Sequence, residues 1–226
     1  MNVARYAIIV AGGSGSRFGG PLPKQFCLLG GKPVLMHTIE KFVNAGAVAT
    51  VVLPSAQFEL WRSLCHQHNF TVPHSVVAGG DTRYQSVKNG LLSIACRDSD
   101  VIAVHDGVRP LASDTLLNRA YTVAAERGTA IPVIDVTDSV RQIDADGGSR
   151  QLLRSSLRAV QTPQAFNARL LREAYNSEFS PMFTDDASVV EHGGTPVSLI
   201  DGETTNIKIT HPIDLIVAEY ILDNHA

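Results

Sequence analysis

The chain has 226 residues, of which 44% are hydrophobic and 18% charged, with a formal net charge of -3. This length and composition predict one soluble α/β domain spanning residues 1–226, and they leave little room for a second core. The slight negative charge argues against nonspecific binding to nucleic acid or to a membrane, so any anion site must be built locally.

The amino-terminal apolar run passes directly into a glycine loop, which predicts a buried strand and not a signal peptide. No apolar stretch of the sequence has the length needed to cross a bilayer. The three cysteines, Cys27, Cys65 and Cys96, are far apart and lack a Cys-x-x-Cys spacing. This pattern predicts reduced thiols that fill the core of a cytoplasmic protein, with no role as nucleophiles.

Apolar runs rich in β-branched residues alternate with segments of helical period along the chain. The predicted strands are 6–11, 49–54, 74–80, 100–106, 129–135 and 195–202. The predicted helices are 33–45, 55–68, 83–97, 113–127, 167–177, 185–193 and 211–224. Continuous apolar strands separated by helices predict a Rossmann-like α/β fold, in which a mainly parallel twisted sheet carries helices on both faces. Ligands of such sheets bind beyond the carboxyl ends of the strands.

The segment from 136 to 161 departs from this alternation. It is polar, lacks a helical stripe and carries the turn sequence Asp146-Gly147-Gly148, so we expect a protruding β-arm. A mobile surface loop is the alternative. Because an isolated two-stranded ribbon is only marginally stable, the arm would gain from packing on a second subunit, and we expect a homodimer formed through it.

The first predicted strand ends in a glycine-rich loop, AGGSGSRFGGPLPKQF, which runs from Ala11 to Phe26. Glycines let the backbone approach a ligand closely, so successive N–H groups can line an anion site. Arg17 and Lys24 supply the side-chain charge that a triphosphate needs. The loop lacks the ending of a Walker A motif and the Gly-x-Gly-x-x-Gly spacing, which supports neither an ATPase nor a dehydrogenase. A plain flexible turn is the alternative.

Two further segments place polar groups at the ends of predicted strands. Asp106 ends an apolar strand, where one carboxylate beside a triphosphate is sufficient for Mg²⁺, although it could instead cap a turn. We expect the neighbouring His105 to be structural. In GGDTRYQSV, Asp81 and Ser86 can offer hydrogen bonds to a base, whereas the Asp81-Thr82 pair could instead begin a helix as its N-cap.

Lys208 lies between two isoleucines in a segment predicted to be an apolar strand. A lysine in such surroundings needs a partner, and a bound phosphate would provide one. The alternative is a lysine on an exposed strand face.

Together these segments resemble the sugar-phosphate nucleotidyltransferases. The glycine loop followed by Pro-Lys-Gln-Phe is similar to that of the cytidylyltransferases that use methylerythritol phosphate or ribitol phosphate. The later blocks agree in order and spacing, and they are GGDTRYQSV (79–87), VHDGVRP (104–110), TPQAF (162–166), TDDAS (184–188) and NIKIT (206–210). The resemblance therefore covers nearly the whole chain.

This resemblance implies transfer of a cytidylyl group from CTP to methylerythritol phosphate, with release of pyrophosphate, in non-mevalonate isoprenoid precursor synthesis. The loop reads Ala-Gly-Gly where many methylerythritol phosphate enzymes have Ala-Ala-Gly, and this departure is closer to the ribitol phosphate enzymes. The DGVRP and DDAS blocks favour methylerythritol phosphate. A ribitol-5-phosphate cytidylyltransferase stays an alternative, as does a nucleotide-binding regulator without turnover.

The resemblance also implies roles for individual residues. The implied catalytic residues are Arg17, Lys24 and Lys208. The implied nucleotide-binding residues are Ala11, Gly12, Gly13, Gly15, Gly80, Asp81 and Ser86. The implied substrate-binding residues are Asp106, Arg109, Ser139, Arg154 and Thr184, and Asp106 is also the implied Mg²⁺ ligand.

Some of these assignments depart from the family pattern or have further alternatives. Ser139 stands where the family usually has Thr, and Arg158 could replace Arg154 as the residue that reaches the substrate of a neighbouring subunit. Either arginine could instead be a solvated side chain, and Arg109 could be part of a surface ion pair. Asp185 and Asp186 are expected to cap the helix that follows them.

Overall fold

The computed structural model describes residues 3–13, 18 and 22–225. Within these ranges the strands are β1 (Arg5–Val10), β2 (Leu28–Leu29), β3 (Lys32–Pro33), β4 (Ala47–Leu53), β5 (His74–Ala78), β6 (Val101–Asp106), β7 (Thr129–Asp135), β8 (Arg141–Ile143), β9 (Ser149–Gln151), β10 (Arg158–Val160), β11 (Gln164–Asn167) and β12 (Leu199–Asp201). The α-helices are α1 (Val34–Asn44), α2 (Phe58–Gln67), α3 (Arg83–Leu92), α4 (Asp114–Arg127), α5 (Ala168–Ala174), α6 (Asp186–His192) and α7 (Pro212–His225).

An eight-stranded sheet forms the centre, in the order β10-β7-β11-β6-β1-β4-β5, with β12 paired to β7. β1 pairs parallel with β4 and with β6, and β4 pairs parallel with β5. The predicted mainly parallel α/β sheet is therefore confirmed. β11, which was not predicted from the sequence, runs antiparallel between β6 and β7. β11 has only four residues, too few to show a periodicity.

Helices cover both faces of this sheet because alternate side chains of the central strands point to opposite sides. Ala7 and Ile9 of β1 belong to a core cluster that contains buried residues of α1, α2 and α4. Ile8, between them, belongs to a second cluster with buried residues of α3, α5 and α6. The continuous apolar run of β1 thus serves two cores at once.

Several predicted elements are shorter in the structure than in the sequence analysis. The helix predicted over 83–97 ends at Leu92, and Arg97 instead donates from its backbone N–H to Asp100, 2.8 Å away. The last predicted strand, 195–202, is reduced to β12. Lys208 lies outside any strand, and the adjacent Ile209 donates its backbone N–H to Val108 O at 2.9 Å.

The predicted arm is a β-hairpin whose final part belongs to the main sheet. β8 and β9 form an exposed antiparallel ribbon, closed by a hydrogen bond of 2.9 Å from Asp144 N to Gly148 O. Gly147 in the turn has a φ of 85°, a conformation that favours glycine. β10, which was included in the predicted arm, pairs antiparallel with β7 at the edge of the central sheet.

Cys27, Cys65 and Cys96 are free thiols and each is partly buried. Cys65 and Cys96 pack against the two core clusters, in agreement with the expected filling role. Across the described part of the chain, every helix is too short or too polar to span a lipid bilayer.

Candidate active site

The carboxyl ends of β1 and β6 lie side by side, with Val10 opposite Asp106. Hydrogen bonds fix both exits, since Ala11 N donates to Val52 O at 2.9 Å and Gly107 N donates to Val10 O at 2.8 Å. A Cβ on Gly107 would lie 2.9 Å from the Cβ of Ala11, so this close approach requires glycine. The start of the glycine loop and Asp106 are therefore neighbours.

A first cavity of about 450 Å³ opens at this edge of the sheet. It is lined by the described members of the predicted nucleotide-binding set, namely Ala11, Gly12, Gly13, Gly80, Asp81 and Ser86. Lys24, Asp106 and Lys208 also line it. Arg17 and Gly15 lie outside the described residues. Four segments that are far apart in sequence thus converge on one cavity.

Gln25 fixes the position of Lys24 beside the glycine loop. Its buried amide donates to Ala11 O at 2.8 Å and to Gln57 Oε1 at 3.0 Å. Lys24 begins the single 3₁₀ turn that contains Gln25, and its backbone is therefore held against the end of β1. The Pro-Lys-Gln-Phe motif was recognised in the sequence, but this anchoring role of its glutamine was not predicted.

The loop between β5 and α3 forms the opposite wall of the first cavity. Ser86 Oγ accepts a hydrogen bond of 3.1 Å from Gly80 N, and a Cβ on Gly79 would lie 2.9 Å from the same oxygen. Thr82 is the N-cap of α3, because its hydroxyl accepts from Gln85 N at 3.0 Å. The capping alternative therefore applies to Thr82, and Asp81 remains exposed at the cavity.

A second cavity of about 310 Å³ adjoins the first. It contains Arg109 and Thr184 from the predicted substrate-binding set. The two cavities share three lining residues, which are Arg83, Asp106 and Lys208. The charged groups at this boundary can therefore face ligands in both cavities.

Asp106 is the acceptor at the centre of this boundary. Its Oδ2 lies 3.0 Å from Lys208 Nζ and 3.3 Å from Arg109 Nε, and its side chain is only 12% exposed. Burial alone would raise the pKa of Asp106, but the neighbouring cations, Lys208 foremost, outweigh burial and hold this pKa well below its usual range. The carboxylate is therefore ionised at neutral pH.

His105 is structural, as expected. It is fully buried, its Nε2 lies 3.0 Å from Arg109 O, and its ring packs 4.8 Å from that of Phe42. Burial lowers the pKa of His105 to about 4, so the imidazole is neutral at pH 7.

The two aspartates of the TDDAS block have different roles. Asp185 is the N-cap of α6 and accepts from Ser188 N at 2.9 Å, as predicted. The predicted capping role of Asp186 is wrong. Its side chain is fully buried and accepts two hydrogen bonds from Arg83, of 3.0 and 2.5 Å. The partner of Asp186 was missed because it lies 103 residues away in the sequence.

Ser139 and Arg154 do not line either of these two cavities. They border an open groove of about 840 Å³ at the base of the arm. Arg154 Nη1 donates to Thr137 O at 2.5 Å, and Arg158 Nε lies 3.2 Å from Asp135 Oδ1. Within one chain, Arg154 therefore contacts the arm itself, and Arg158 contacts the end of β7, from which the arm begins.

Asp106 is the carboxylate on the boundary between the cavities that could hold a divalent cation. No cluster of three or more His, Cys, Asp or Glu side chains with metal-binding geometry occurs in the part of the chain that the structure describes. Asp106 would therefore be a single carboxylate ligand, with phosphate and water oxygens completing the shell. This is the ligand set that Mg²⁺ prefers.

Comparison with known proteins identifies one family, and the match covers nearly the whole chain. Residues 5–224 match the family model for 2-C-methyl-D-erythritol 4-phosphate cytidylyltransferase. A relative of that name from Bacteroides fragilis is 48% identical, over 97% of this chain and 100% of the relative. One from Porphyromonas gingivalis is 46% identical, over 98% of this chain and 99% of the relative.

A solved structure also matches the fold. The crystal structure of 4-diphosphocytidyl-2C-methyl-D-erythritol synthase from Anaerococcus prevotii has a TM-score of 0.81 at 28% identity, over 98% of this chain and 96% of that one. The relatives' names favour the methylerythritol phosphate branch of the resemblance over the ribitol phosphate branch. The class of enzyme is a CTP-dependent nucleotidyltransferase, and the chain belongs to the 2-C-methyl-D-erythritol 4-phosphate cytidylyltransferase family.

Proposed function

We propose that this enzyme transfers the cytidylyl group of CTP to 2-C-methyl-D-erythritol 4-phosphate. The products are pyrophosphate and 4-diphosphocytidyl-2-C-methyl-D-erythritol, an intermediate of non-mevalonate isoprenoid precursor synthesis. The observation that carries the proposal is the pair of adjoining cavities with Asp106 and Lys208 on their common boundary. One cavity has the glycine-rich wall that suits a nucleotide, and the other offers Arg109 and Thr184 to a polyol phosphate.

The reaction is an in-line attack of an acceptor phosphate oxygen on the α-phosphorus of CTP. A new phosphorus–oxygen bond forms as the bond to the β-phosphate oxygen breaks, and the electron pair leaves with pyrophosphate. A phosphate dianion is already charged at pH 7 and needs no general base, which agrees with the buried, neutral His105. The protein's task is to position two anions and to stabilise the charge that develops between them.

Lys24 and Lys208 supply fixed positive charge on two sides of the first cavity. We assign them to the triphosphate and to the reacting phosphates, together with Arg17, which lies outside the described residues. Their ammonium groups would stabilise the transition state more than the ground state, because negative charge grows on the departing pyrophosphate.

Recognition of cytosine falls to the wall formed by Gly80, Asp81 and Ser86. Cytosine presents an amino donor beside a carbonyl acceptor, and this wall offers backbone groups, a hydroxyl and a carboxylate. The hydrogen bond from Gly80 N already orients Ser86 Oγ, so the hydroxyl is preorganised for the base. A site that pairs each polar group of the base rejects bases that leave one unpaired.

We also propose Mg²⁺ as the cofactor, with Asp106 as its ligand from the protein. A bound Mg²⁺ neutralises triphosphate charge and stabilises the leaving pyrophosphate. Asp106 fits this role because it is ionised and lines both cavities.

A homodimer formed through the arm is the proposed assembly. Ile143 and Leu153 are exposed apolar residues of the arm, which a second subunit could cover. Ser139 and Arg154 line neither cavity of their own chain, so they would act on the substrate of the partner subunit. The free thiols of the three cysteines support the proposed cytoplasmic location, a reducing compartment.

The test is pyrophosphate release from CTP and Mg²⁺ in the presence of either polyol phosphate. We expect rapid release with 2-C-methyl-D-erythritol 4-phosphate and slow release with ribitol 5-phosphate. Preference for ribitol 5-phosphate would overturn the substrate assignment. Tight CTP binding without release from either mixture would instead identify a nucleotide-binding regulator.

A further inference from the structure

Arg83 stands on the boundary between the two cavities, although no motif assigned it a role. It is the first residue of α3 and lines both the nucleotide-side and the substrate-side cavity. Asp106 and Lys208 are the other two residues with this position. A side chain at this place can touch the two groups that react with each other.

The guanidinium of Arg83 is held in place by Asp186. Nη1 and Nη2 each donate to a different oxygen of Asp186, at 3.0 and 2.5 Å, in a bidentate pair. Asp186 is fully buried and also accepts a hydrogen bond of 2.7 Å from Tyr175 OH. The ring of Tyr175 stacks on that of Tyr84, with centroids 4.8 Å apart. The plane of the guanidinium is therefore fixed by three packed residues.

The ion pair with Asp186 leaves other N–H donors of Arg83 available to a ligand. A guanidinium has five N–H donors, and the pair with Asp186 uses two of them. The side chain keeps 30% of its surface exposed, although its partner is fully buried. A phosphate-binding arginine must keep one edge open to the cavity, and Arg83 meets this condition.

Charge and geometry contribute differently at this position. Asp186 offsets part of the positive charge of Arg83, so the strength of the site lies mainly in N–H groups oriented before the ligand binds. Arginine suits this task because its rigid fork matches two phosphate oxygens, which a lysine cannot do. Such donors act without reorganisation during the reaction.

We propose that Arg83 is a further catalytic residue, whose guanidinium binds oxygens of the α-phosphate of the nucleotide and of the acceptor phosphate at once. Asp186 and Tyr175 are positioning residues that hold its plane. The proposal rests on the proposed function, since it requires two phosphates to meet at the boundary of the cavities. It adds a residue that lowers the repulsion between the two reacting anions.

The test compares variants that separate catalysis from folding. Arg83→Met alone would leave Asp186 buried without its cation, which is costly for folding. The double variant Arg83→Met/Asp186→Asn removes both charges and keeps an acceptor for Tyr175. Arg83→Lys keeps the charge but loses the fork. Arg62→Met, on the outer face of α2 with a side chain 74% exposed, is the matched control.

For each protein, kcat, both KM values, the Tm and the calorimetric Kd for CTP are measured. We expect kcat of the double variant to fall by about 10²-fold and that of Arg83→Lys by about tenfold, as for loss of one oriented donor group. The KM values and the Kd for CTP should change only a few-fold. The Tm of Arg83→Lys should fall less than that of Arg83→Met, because the lysine keeps the charge that pairs with Asp186. Arg62→Met should match the wild type in every quantity.

Two results would overturn the proposal, and they differ from each other. In the first, the wild type is active and either Arg83→Lys or the double variant keeps the wild-type kcat. This result would refute the role of Arg83 but not the proposed function. A wild type that releases no pyrophosphate would refute the proposed function and, with it, this role.

Discussion

Lys208 occupies the boundary of both cavities with its ammonium 3.0 Å from Asp106, yet its side chain is 45% exposed. A lysine in this position can contact a phosphate while it keeps its carboxylate partner. Its neighbours Ile207 and Ile209 pack in the apolar cluster next to α7, so the backbone beneath it is anchored. The side chain is thus partly exposed to the cavities above an anchored backbone.

Replacement of this lysine tests the charge that it supplies. We expect Lys208→Met to lower kcat/KM by about 10²-fold, equivalent to ~3 kcal/mol of transition-state stabilisation. Steady-state pyrophosphate release measures this value. Lys32→Met, which removes a cation paired with Glu40 away from both cavities, is the control and should keep the wild-type rate. Full turnover of Lys208→Met would exclude its catalytic role.

The carboxylate of Asp106 allows a test of the metal. We expect a chelator to abolish turnover, and added Mg²⁺ to restore it. Asp106→Asn keeps the shape of the side chain but removes its charge, so the Mg²⁺ concentration for half-maximal rate should rise at least tenfold. The titration is followed by pyrophosphate release at saturating CTP. An unchanged Mg²⁺ requirement would show that Asp106 is not the ligand.

At the scale of elements, some positions follow from local sequence and others do not. The meeting of Ala11 with Asp106 was predictable, because two buried parallel strands end at the same edge of the sheet. The pair of Arg83 with Asp186 was not predictable, because it depends on how α3 and α6 pack. Asp186 was mistaken for a cap for the same reason, since its position in the first turn of α6 is typical of both roles.

Asp100 joins two elements and makes their stability depend on pH. Its carboxylate is buried before β6 and accepts from Arg97 and from Ala4 N, which precedes β1. The hydrogen bond from the Arg97 side chain, opposed by burial and supported by the backbone N–H groups, lowers the pKa of Asp100. Because the folded pKa lies below the unfolded value of about 3.9, the stabilisation is complete above that pH.

This stabilisation is lost as the pH falls through the folded pKa. We expect Asp100→Asn to lower the free energy of unfolding at pH 7 by about 1–3 kcal/mol. The variant should also lose less stability than the wild type between pH 5 and pH 2. Denaturant titrations at several pH values measure both effects. Asp223→Asn, at an exposed site on α7, is the control and should follow the wild type. If Asp100→Asn had the same stability–pH profile as the wild type, Asp100 would not be the source of this pH dependence.

At the scale of the whole molecule, we propose that residues 1–226 form one domain, because both core clusters pack against the same sheet. The arm is the part whose purpose a single chain does not explain. Its ribbon is exposed on every side, and its proposed substrate ligand, Arg154, is bonded to the arm itself. The sequence predicted the hairpin because its turn signal is local. We propose that the surface that it packs against belongs to a second chain.

Mixing of two inactive variants tests whether the sites are shared between subunits. Arg154→Ala and Lys208→Met each damage both sites of a homodimer. In a mixed dimer, one site would receive both defects and the other neither. After random exchange of equal amounts, about half of the dimers are mixed and half of their sites are intact, so roughly a quarter of wild-type activity should return. Lys24→Met mixed with Lys208→Met should restore none, since both residues line the same cavity. No recovery after proven subunit exchange would refute the role of Arg154.

In the proposed mechanism the acceptor phosphate attacks CTP itself, within one cleft and without a covalent enzyme intermediate. Exchange of labelled pyrophosphate into CTP distinguishes this mechanism from one that passes through a cytidylyl–enzyme. We predict no labelled CTP when the enzyme holds only CTP, Mg²⁺ and pyrophosphate, and rapid labelling once the cytidylylated polyol product is supplied. Labelling without that product would reveal a cytidylyl–enzyme intermediate and rule out direct attack by the acceptor phosphate.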